Sequence, residues 1–372
     1  MKVILVAGAR PNFMKIAPLM RAISKHNASS RGTPIKPVLI HTGQHYDYEM
    51  SQVFFQNLEL TQPDIHLDIG SGTHAEQTGK VMIGFEEVLL REKPDLVVVV
   101  GDVNSTLAAA LAAVKLHIPV AHIEAGLRSY DRTMPEEINR LLTDAISDYL
   151  FTPSPDANEN LEREGIPPKK IFLVGDVMVD SLLHCKPIAE QSQILGQLGL
   201  SENNYALLTL HRPSNVDNRE SLSKIMEALG EISRRIPIVF PAHPRTQKRL
   251  KEFDLLNHLP IANNQLCITE PLGYIDFLKL EMNTRFVMTD SGGIQEETTV
   301  LDIPCLTLRN TTERPITIIQ GTNILVGNDT QRIIEEAFRI IDGNGKRGSC
   351  PELWDGKAAE RIVNILSGVE GA

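Results

Sequence analysis

An excess of basic charge, paired cysteines, long apolar runs and low-complexity stretches are all missing from this chain. Lys and Arg number 37 against 47 Asp and Glu, a formal net charge of −10. The surface therefore lacks the positive field that a general nucleic-acid or anionic-membrane binder needs. A small anionic ligand is still admitted, because a few arginines and a helix terminus make a local positive site. The four cysteines, Cys185, Cys267, Cys305 and Cys350, include no CxxC pair, which argues against a zinc site or a catalytic thiol. Cys267 and Cys305 sit inside apolar strand-like runs, so both are expected as buried, reduced thiols. No apolar run approaches the ~20 residues of a membrane span. The opening Met1-Lys2-Val3-Ile4-Leu5-Val6-Ala7-Gly8 is too short for a signal-peptide core and leads straight into Arg10-Pro11. A cytoplasmic protein without nucleic-acid or membrane partners is expected.

What is present is an alternation of short, β-branched apolar runs with amphipathic helical stretches. Strands are expected at Val3–Ala7, Val38–His41, Leu96–Val100, Val120–Ile123, Tyr149–Thr152 and Ile171–Val174. A second series follows at Ala206–Leu210, Ile238–Phe240, Leu266–Thr269, Phe286–Thr289 and Cys305–Leu308. Near-continuous apolar strands such as Leu96–Val100 belong to parallel sheets covered on both faces, and helices between them mean βαβ units. At 372 residues the chain is long enough for two such domains. The fold class is therefore α/β, with two doubly wound Rossmann-like domains expected to face one another across a cleft. The strand pattern pauses after Gly175 and restarts at Tyr205. Domains are placed at residues 1–175 and 176–355, with a C-terminal helix in 356–372 returning to the first domain. Ligands of such sheets lie at the carboxyl ends of the strands.

The most informative such end is Phe286-Val287-Met288-Thr289-Asp290-Ser291-Gly292-Gly293-Ile294-Gln295-Glu296-Glu297. A strand runs into Asp-Ser-Gly-Gly and a helix starts at once. Adjacent glycines let the backbone approach a ligand, and the helix's first turn offers unpaired N–H groups with roughly +0.5 of partial charge. This is a seat for phosphate at Ser291, Gly292 and Gly293. Glu297 follows Ser291 by about 1.7 turns, within reach of a ribose hydroxyl. The competing reading is an ordinary strand–turn–helix junction.

The other strand ends are also polar. Gly8-Ala9-Arg10-Pro11-Asn12-Phe13-Met14-Lys15 places Arg10 and Lys15 around a turn, either as cations for a diphosphate or as surface charges. His41-Thr42-Gly43-Gln44-His45-Tyr46 offers Gln44 and His45 as ligand contacts or as capping groups. Asp102 in Gly101-Asp102-Val103-Asn104-Ser105-Thr106 is either a helix cap or an acid/base. Glu124, in His122-Ile123-Glu124-Ala125-Gly126-Leu127-Arg128, stands at a buried strand end and requires a partner. In Pro135-Glu136-Glu137-Ile138-Asn139-Arg140 the first-turn carboxylates suit the helix dipole, and Glu136 is equally a candidate for chemistry. His211-Arg212-Pro213-Ser214-Asn215 adds a histidine and an arginine in the second half. Pro241-Ala242-His243-Pro244-Arg245 repeats that arrangement, and Glu313-Arg314-Pro315 follows Cys305–Leu308 in the same way. Carboxylates from one half with a histidine and a phosphate seat from the other describe a two-domain enzyme acting on a phosphorylated ligand.

With these motifs in this order, over nearly the whole chain, the sequence resembles the non-hydrolysing UDP-N-acetylglucosamine 2-epimerases, which share the two-Rossmann GT-B architecture of many nucleotide-sugar glycosyltransferases. The motifs that carry the resemblance are Thr42-Gly43-Gln44-His45, Gly101-Asp102, His122–Arg128, Pro135–Arg140, His211-Arg212 and Asp290–Glu297. The resemblance implies a catalytic group of Asp102, Glu124, Glu136 and His211. It implies that Arg10, Ser291, Gly292, Gly293 and Glu297 hold UDP, with Phe277 at the uracil pocket. Lys15, Gln44, His45, Arg212 and Arg314 complete the expected substrate contacts. A homodimer is implied, with no exogenous cofactor and no metal.

The implied reaction inverts C2 of the sugar. The C2 proton and UDP leave to give a 2-acetamidoglucal, and both return with the opposite configuration at C2. A base able to take that proton near neutral pH is a carboxylate whose pKa is raised by burial or by carboxylate neighbours, and three clustered carboxylates are expected to supply that setting. The charge developing on UDP is met by the Gly292-Gly293 helix terminus, Arg10 and protonated His211. The chain departs from the family pattern at Tyr46-Asp47-Tyr48, at His211-Arg212-Pro213-Ser214-Asn215 and at Ile316. These departures leave open a second, regulatory substrate site and a modified sugar, oxidised or diacetamido. A hydrolysing relative, a GT-B glycosyltransferase and a non-catalytic sugar-nucleotide sensor are the competing functions. A transferase calls for an apolar or basic acceptor surface that this acidic chain does not advertise, and a sensor has no use for the three carboxylates. The product is expected to serve cell-envelope polysaccharide.

Overall fold

The computed structural model describes residues 1–29, 32–43, 58, 60–256 and 265–368, and of Arg10 only the backbone. The chain divides into two compact units, Met1–His184 with Glu352–Ala372, and Cys185–Pro351.

The first unit carries a seven-stranded, all-parallel sheet in the order β3-β2-β1-β4-β5-β6-β7. Its strands are β1 (Lys2–Ala7), β2 (Lys36–His41), β3 (Ile65–His66), β4 (Leu96–Val100), β5 (Val120–Ile123), β6 (Tyr149–Thr152) and β7 (Ile171–Leu173). All five residues of β4 are buried, as a strand covered by helices on both faces must be. One layer of the core joins Ile4, Val6, Val97 and Val99 of the sheet to Phe85, Val88, Ala109 and Ala113 of the helices His74–Glu92 and Asn104–Lys115. The run of alanines in the second helix keeps that face thin, so the two helices lie close together. The helix His74–Glu92 starts at a capping box, in which Thr73 Oγ1 accepts from the Glu76 N–H and the Glu76 carboxylate accepts from the Thr73 N–H.

The second unit has a six-stranded parallel sheet in the order β10-β9-β8-β11-β12-β13. Here the strands are β8 (Ala206–Thr209), β9 (Ile238–Pro241), β10 (Leu266–Thr269), β11 (Phe286–Thr289), β12 (Cys305–Thr307) and β13 (Asn323–Leu325). Leu208, Phe240, Phe286, Met288 and Leu306 pack on Ile225, Leu229, Ile333 and Ala337 from the helices Arg219–Ser233 and Thr330–Ile341. In both sheets the strand order reverses beside the first strand, at β1/β4 and β8/β11, and each reversal opens a crevice at the carboxyl ends.

All eleven strands expected from sequence are present, and two more were not foreseen. β3 is two residues long and pairs only with β2, while β13 starts on the polar Asn323 and is three residues long. β3 carries no apolar run, and the three apolar residues Ile324-Leu325-Val326 at β13 were passed over. The first unit extends past residue 175 to His184, because the start of the helix Val177–Ala189 is tied into it: Ser181 Oγ donates to the Met14 carbonyl. Asp180 accepts from the backbone N–H groups of Ala358 and Ala359 at 3.1 and 2.8 Å, capping the helix Ala358–Ser367, and the Trp354 indole donates to the Pro153 carbonyl at 2.8 Å. Cys305 is buried as expected, whereas Cys267, on the edge strand β10, is only half-buried.

Candidate functional site

In the second unit, β8 and β11 lie side by side, with Thr209 Oγ1 and Thr289 Oγ1 hydrogen-bonded at 2.6 Å. Just beyond them sits Asp290, fully buried. Its carboxylate accepts from the backbone N–H groups of His211 at 3.1 Å and Arg212 at 3.0 Å and from the Asn215 amide at 3.1 Å, and His211 Nδ1 lies 3.0 Å away. Burial alone would raise the Asp290 pKa, but the hydrogen bonds and charge of His211, with the Arg212 N–H and Asn215, hold it below the ordinary carboxylate range. Asp290 is thus a fixed anion that orients the half-exposed His211 ring, as the acid of an acid–histidine couple does.

The helix Gly292–Val300 starts two residues on, and the Ser291 side chain does not cap it. Its first-turn N–H groups are left for an anion. Arg314 lies across this terminus: a Cβ built on Gly292 would come within 2.6 Å of Arg314 Nη1 and 2.9 Å of Glu313 Oε1. Arg314 is bonded to Glu296 and, at 2.6 Å, to Glu313; Glu313 is also reached by Arg309 at 2.7 Å and by Arg212 at 3.5 Å. Three guanidinium groups around two carboxylates leave an excess of positive charge beside the helix terminus. Glu313 is buried, yet Arg314, Arg309 and Arg212 drive its pKa far below the usual carboxylate range, so it serves as the rivet of the arginine cluster. Glu297 is held by the Tyr274 hydroxyl, which donates to Oε1 at 2.7 Å. Phe277, in the helix Tyr274–Met282, packs partly buried against Ile194, Tyr205 and Leu280.

In the first unit, the turn after β1 is shaped by Asn12, whose Oδ1 accepts from the Gly8 and Ala9 N–H groups, both at 2.9 Å. One turn further along the helix Arg10–Ser29, Lys15 is buried and paired with Glu124. Glu124 follows β5 with φ of +72°, a left-handed conformation that costs a non-glycine residue about 1–2 kcal/mol and clusters at functional sites. Gly101, at the end of β4, has φ of +66°, and a Cβ there would lie 2.8 Å from Lys15 Nζ and 3.4 Å from Glu124 Oε2. Glycine is needed at that position for both reasons. Asp102 follows, paired with Arg140, while Asn139 donates to the Asp102 carbonyl at 2.9 Å. Beneath these turns a charged cluster is sealed from solvent. His122 Nδ1 lies 2.6 Å from Asp144 Oδ1, its Nε2 lies 2.8 Å from the Gly101 carbonyl, and Arg128 Nη1 lies 2.7 Å from Asp144 Oδ2. Burial works to raise the Asp144 pKa, but His122 and Arg128 overcome it and hold the carboxylate below its usual range.

Asp102, Glu124 and Lys15 are therefore brought together at adjacent strand ends of one unit, and His211, Arg212, Arg314, Ser291, Gly292, Gly293 and Glu297 are brought together in the other. Glu136 lies exposed in the first turn of the helix Pro135–Ile146. Gln44 and His45, with Tyr46-Asp47-Tyr48, lie outside the described residues, as does the Arg10 side chain. Several expectations need correction. Lys15 is not a surface charge; it is committed to Glu124. Asp102 does not cap the helix Asn104–Lys115, whose N-cap is Val103, because its carboxylate is drawn to Arg140. Glu124 stands beside Lys15, and Asp102 beside Arg140. Glu137 is structural: it accepts from the Ser129 N–H and hydroxyl and the Tyr130 N–H, all at 2.9 Å, and binds Arg140. His243 caps its helix by accepting from the Arg245 N–H at 3.2 Å, so the second His-Pro-Arg segment is a cap. Sequence reasoning passed over Asp290 as an orienting acid, the His122–Asp144–Arg128 cluster and the Tyr274 hydroxyl. The signal available for the first was an acidic residue ending an apolar strand.

Two doubly wound parallel-sheet units, one with carboxylates and one with an anion seat at the reversal of strand order, define a two-Rossmann α/β enzyme. Residues 27–367 match the family model described as UDP-N-acetylglucosamine 2-epimerase. The UDP-N-acetylglucosamine 2-epimerase of Methanocaldococcus jannaschii is 49% identical over 372 residues, covering 99% of each chain. The UDP-2,3-diacetamido-2,3-dideoxy-D-glucuronate 2-epimerase of Pseudomonas aeruginosa is 42% identical over 371 residues, again covering 99% of each. Among solved structures, the M. jannaschii enzyme in complex with UDP-GlcNAc and UDP superposes with a TM-score of 0.88 at 49% identity, covering 99% of this chain and 100% of that one. The chain belongs to the UDP-N-acetylglucosamine 2-epimerase family, and it is an epimerase-type enzyme.

Proposed function

We propose that the chain interconverts UDP-N-acetylglucosamine and UDP-N-acetylmannosamine through a 2-acetamidoglucal. The observation that carries the reading is Glu124, a buried carboxylate held in a left-handed turn at a strand's carboxyl end beside Lys15 and Gly101. A carboxylate kept in a strained conformation at the mouth of a sheet suits proton transfer better than structure. In the forward direction a base removes the C2 proton as the C1–O bond to UDP breaks, and the electrons of the C–H bond form the C1=C2 double bond. UDP then returns to C1 and a proton is delivered to the opposite face of C2. Asp102, Glu124 and Glu136 supply the acid and base groups. His211, oriented by Asp290, the Gly292 helix terminus, Arg212 and Arg314 hold the diphosphate and take up the charge it gains. Glu297 meets the ribose diol and Phe277 the uracil. The enzyme works in the cytoplasm as a homodimer and supplies a sugar nucleotide for envelope polysaccharide. No helix among the described residues is long and apolar enough to cross a membrane.

Proton NMR of the purified protein with UDP-N-acetylglucosamine in D₂O tests the reading. The expected result is UDP-N-acetylmannosamine with deuterium at C2, lost in Glu124→Gln and Glu136→Gln while UDP affinity stays within a few-fold. Free N-acetylmannosamine with UDP would instead assign a hydrolysing enzyme. No reaction, with turnover of the UDP-diacetamido-glucuronate substrate named for the Pseudomonas relative, would assign that sugar. Full activity in both variants would end the carboxylate mechanism.

A further inference from the structure

Glu281 is unexplained by the reaction as drawn above. It lies in the last turn of the helix Tyr274–Met282 with no solvent exposure, and neither carboxyl oxygen has a hydrogen-bond donor. No ion pair to Glu281 forms among the described residues, and its neighbour is another acid, Glu297. Two carboxylates side by side have no donor between them, and an isolated buried charge is far too costly to persist. A proton on one of them resolves both problems, because an acid O–H donated to a carboxylate is a strong, charge-assisted bond. Glu297 already accepts from the Tyr274 hydroxyl on Oε1 at 2.7 Å, so it is the member suited to carry the charge.

We propose that Glu281 is a positioning residue of the nucleotide seat: its carboxyl stays uncharged and donates to Glu297, which Tyr274 holds from another side, so that a fixed carboxylate is presented to the ribose diol. The proposal rests on the reading that Glu297 meets the ribose. Burial, then the Glu297 charge, pushes the Glu281 pKa well above the usual carboxylate range. The titratable groups facing the pair are Tyr274 from the same helix as Glu281 and Cys305 from β12, with Cys185 beside Tyr274. Burial pushes the Cys305 thiol up to about 12 and the Tyr274 phenol well up, so both are neutral near neutral pH. Because the Glu281 pKa is raised, the ordered state holds below it and is lost as pH rises through it, when two adjacent carboxylates repel.

Calorimetry of UDP and of 2′,3′-dideoxyuridine diphosphate binding to the wild type, Glu281→Gln and Glu281→Leu, over a series of rising pH, tests this. Glu281→Gln keeps a donor that does not titrate. It is expected to bind UDP within about threefold of the wild type at the low end of the series and to lack the wild type's loss of affinity as pH rises. Glu281→Leu is expected to bind UDP about tenfold more weakly, yet to bind the dideoxy nucleotide as the wild type does. Wild-type UDP affinity in Glu281→Leu, or an equal loss for both nucleotides, would overturn the proposal. Failure of the underlying reading is distinguishable, because the wild type would then bind both nucleotides alike and Glu297→Gln would leave UDP affinity unchanged.

Discussion

Replacing Asp144 by asparagine changes no volume and one charge, yet it should destabilise the first unit severely. Both carboxylate oxygens are engaged by donors: Oδ1 by His122, and Oδ2 by Arg128 at 2.7 Å and the Gly126 N–H at 3.1 Å. An amide that keeps its oxygen on Arg128 and the Gly126 N–H can satisfy His122 only where Nδ1 accepts, and it carries no charge for Arg128 in any orientation. Arg128 loses its buried counter-ion and is left with the partly exposed Glu164 at 2.6 Å. Breaking a buried pair by removing one partner costs about 3–5 kcal/mol. The assay is built into the chain. Its single tryptophan, Trp354, is buried in the first unit, so urea unfolding followed by tryptophan fluorescence reports that unit. With the m-value of a unit of this size, the midpoint should fall by roughly 1–2 M urea with little change in m. A midpoint equivalent to less than about 1 kcal/mol of loss would refute the claim that Asp144 is the keystone of the cluster.

Gly292→Ala should lower stability as well as affinity, because its Cβ would come 2.6 Å from Arg314 Nη1 and 2.9 Å from Glu313 Oε1 and so disturb a buried ion-pair cluster. UDP affinity should fall by about tenfold or more by calorimetry, and an unchanged Kd would show that Arg314 does not serve the seat. The depressed pKa values of Asp144 and Asp290 predict stability that is fully present above the unfolded carboxylate value of ~3.9 and is lost as pH falls through the lower folded values. Acid titration of Asp290→Asn, compared with the wild type, should remove part of that dependence; identical acid limbs would assign it elsewhere.

Fold class was legible because burial on both faces writes itself into a strand such as Leu96-Val97-Val98-Val99-Val100. The strand ends were legible for a related reason: an apolar run that stops at Gly101-Asp102, at His122-Ile123-Glu124 or at Asp290-Ser291-Gly292 marks where the chain meets polar surroundings. What sequence could not reveal is which side chain answers which. Lys15 and Glu124 are 109 residues apart and meet because β1, β4 and β5 lie in that order in the sheet. In the same way packing brings His122 to Asp144, Tyr274 to Glu297 and Arg212 to Glu313. Residue types and positions along the chain decided that charges and glycine-rich turns would gather at strand ends. Only the tertiary structure decided the pairing, because a buried charge is stabilised by whichever group the packing brings within hydrogen-bond reach, and that proximity is not encoded in spacing along the chain.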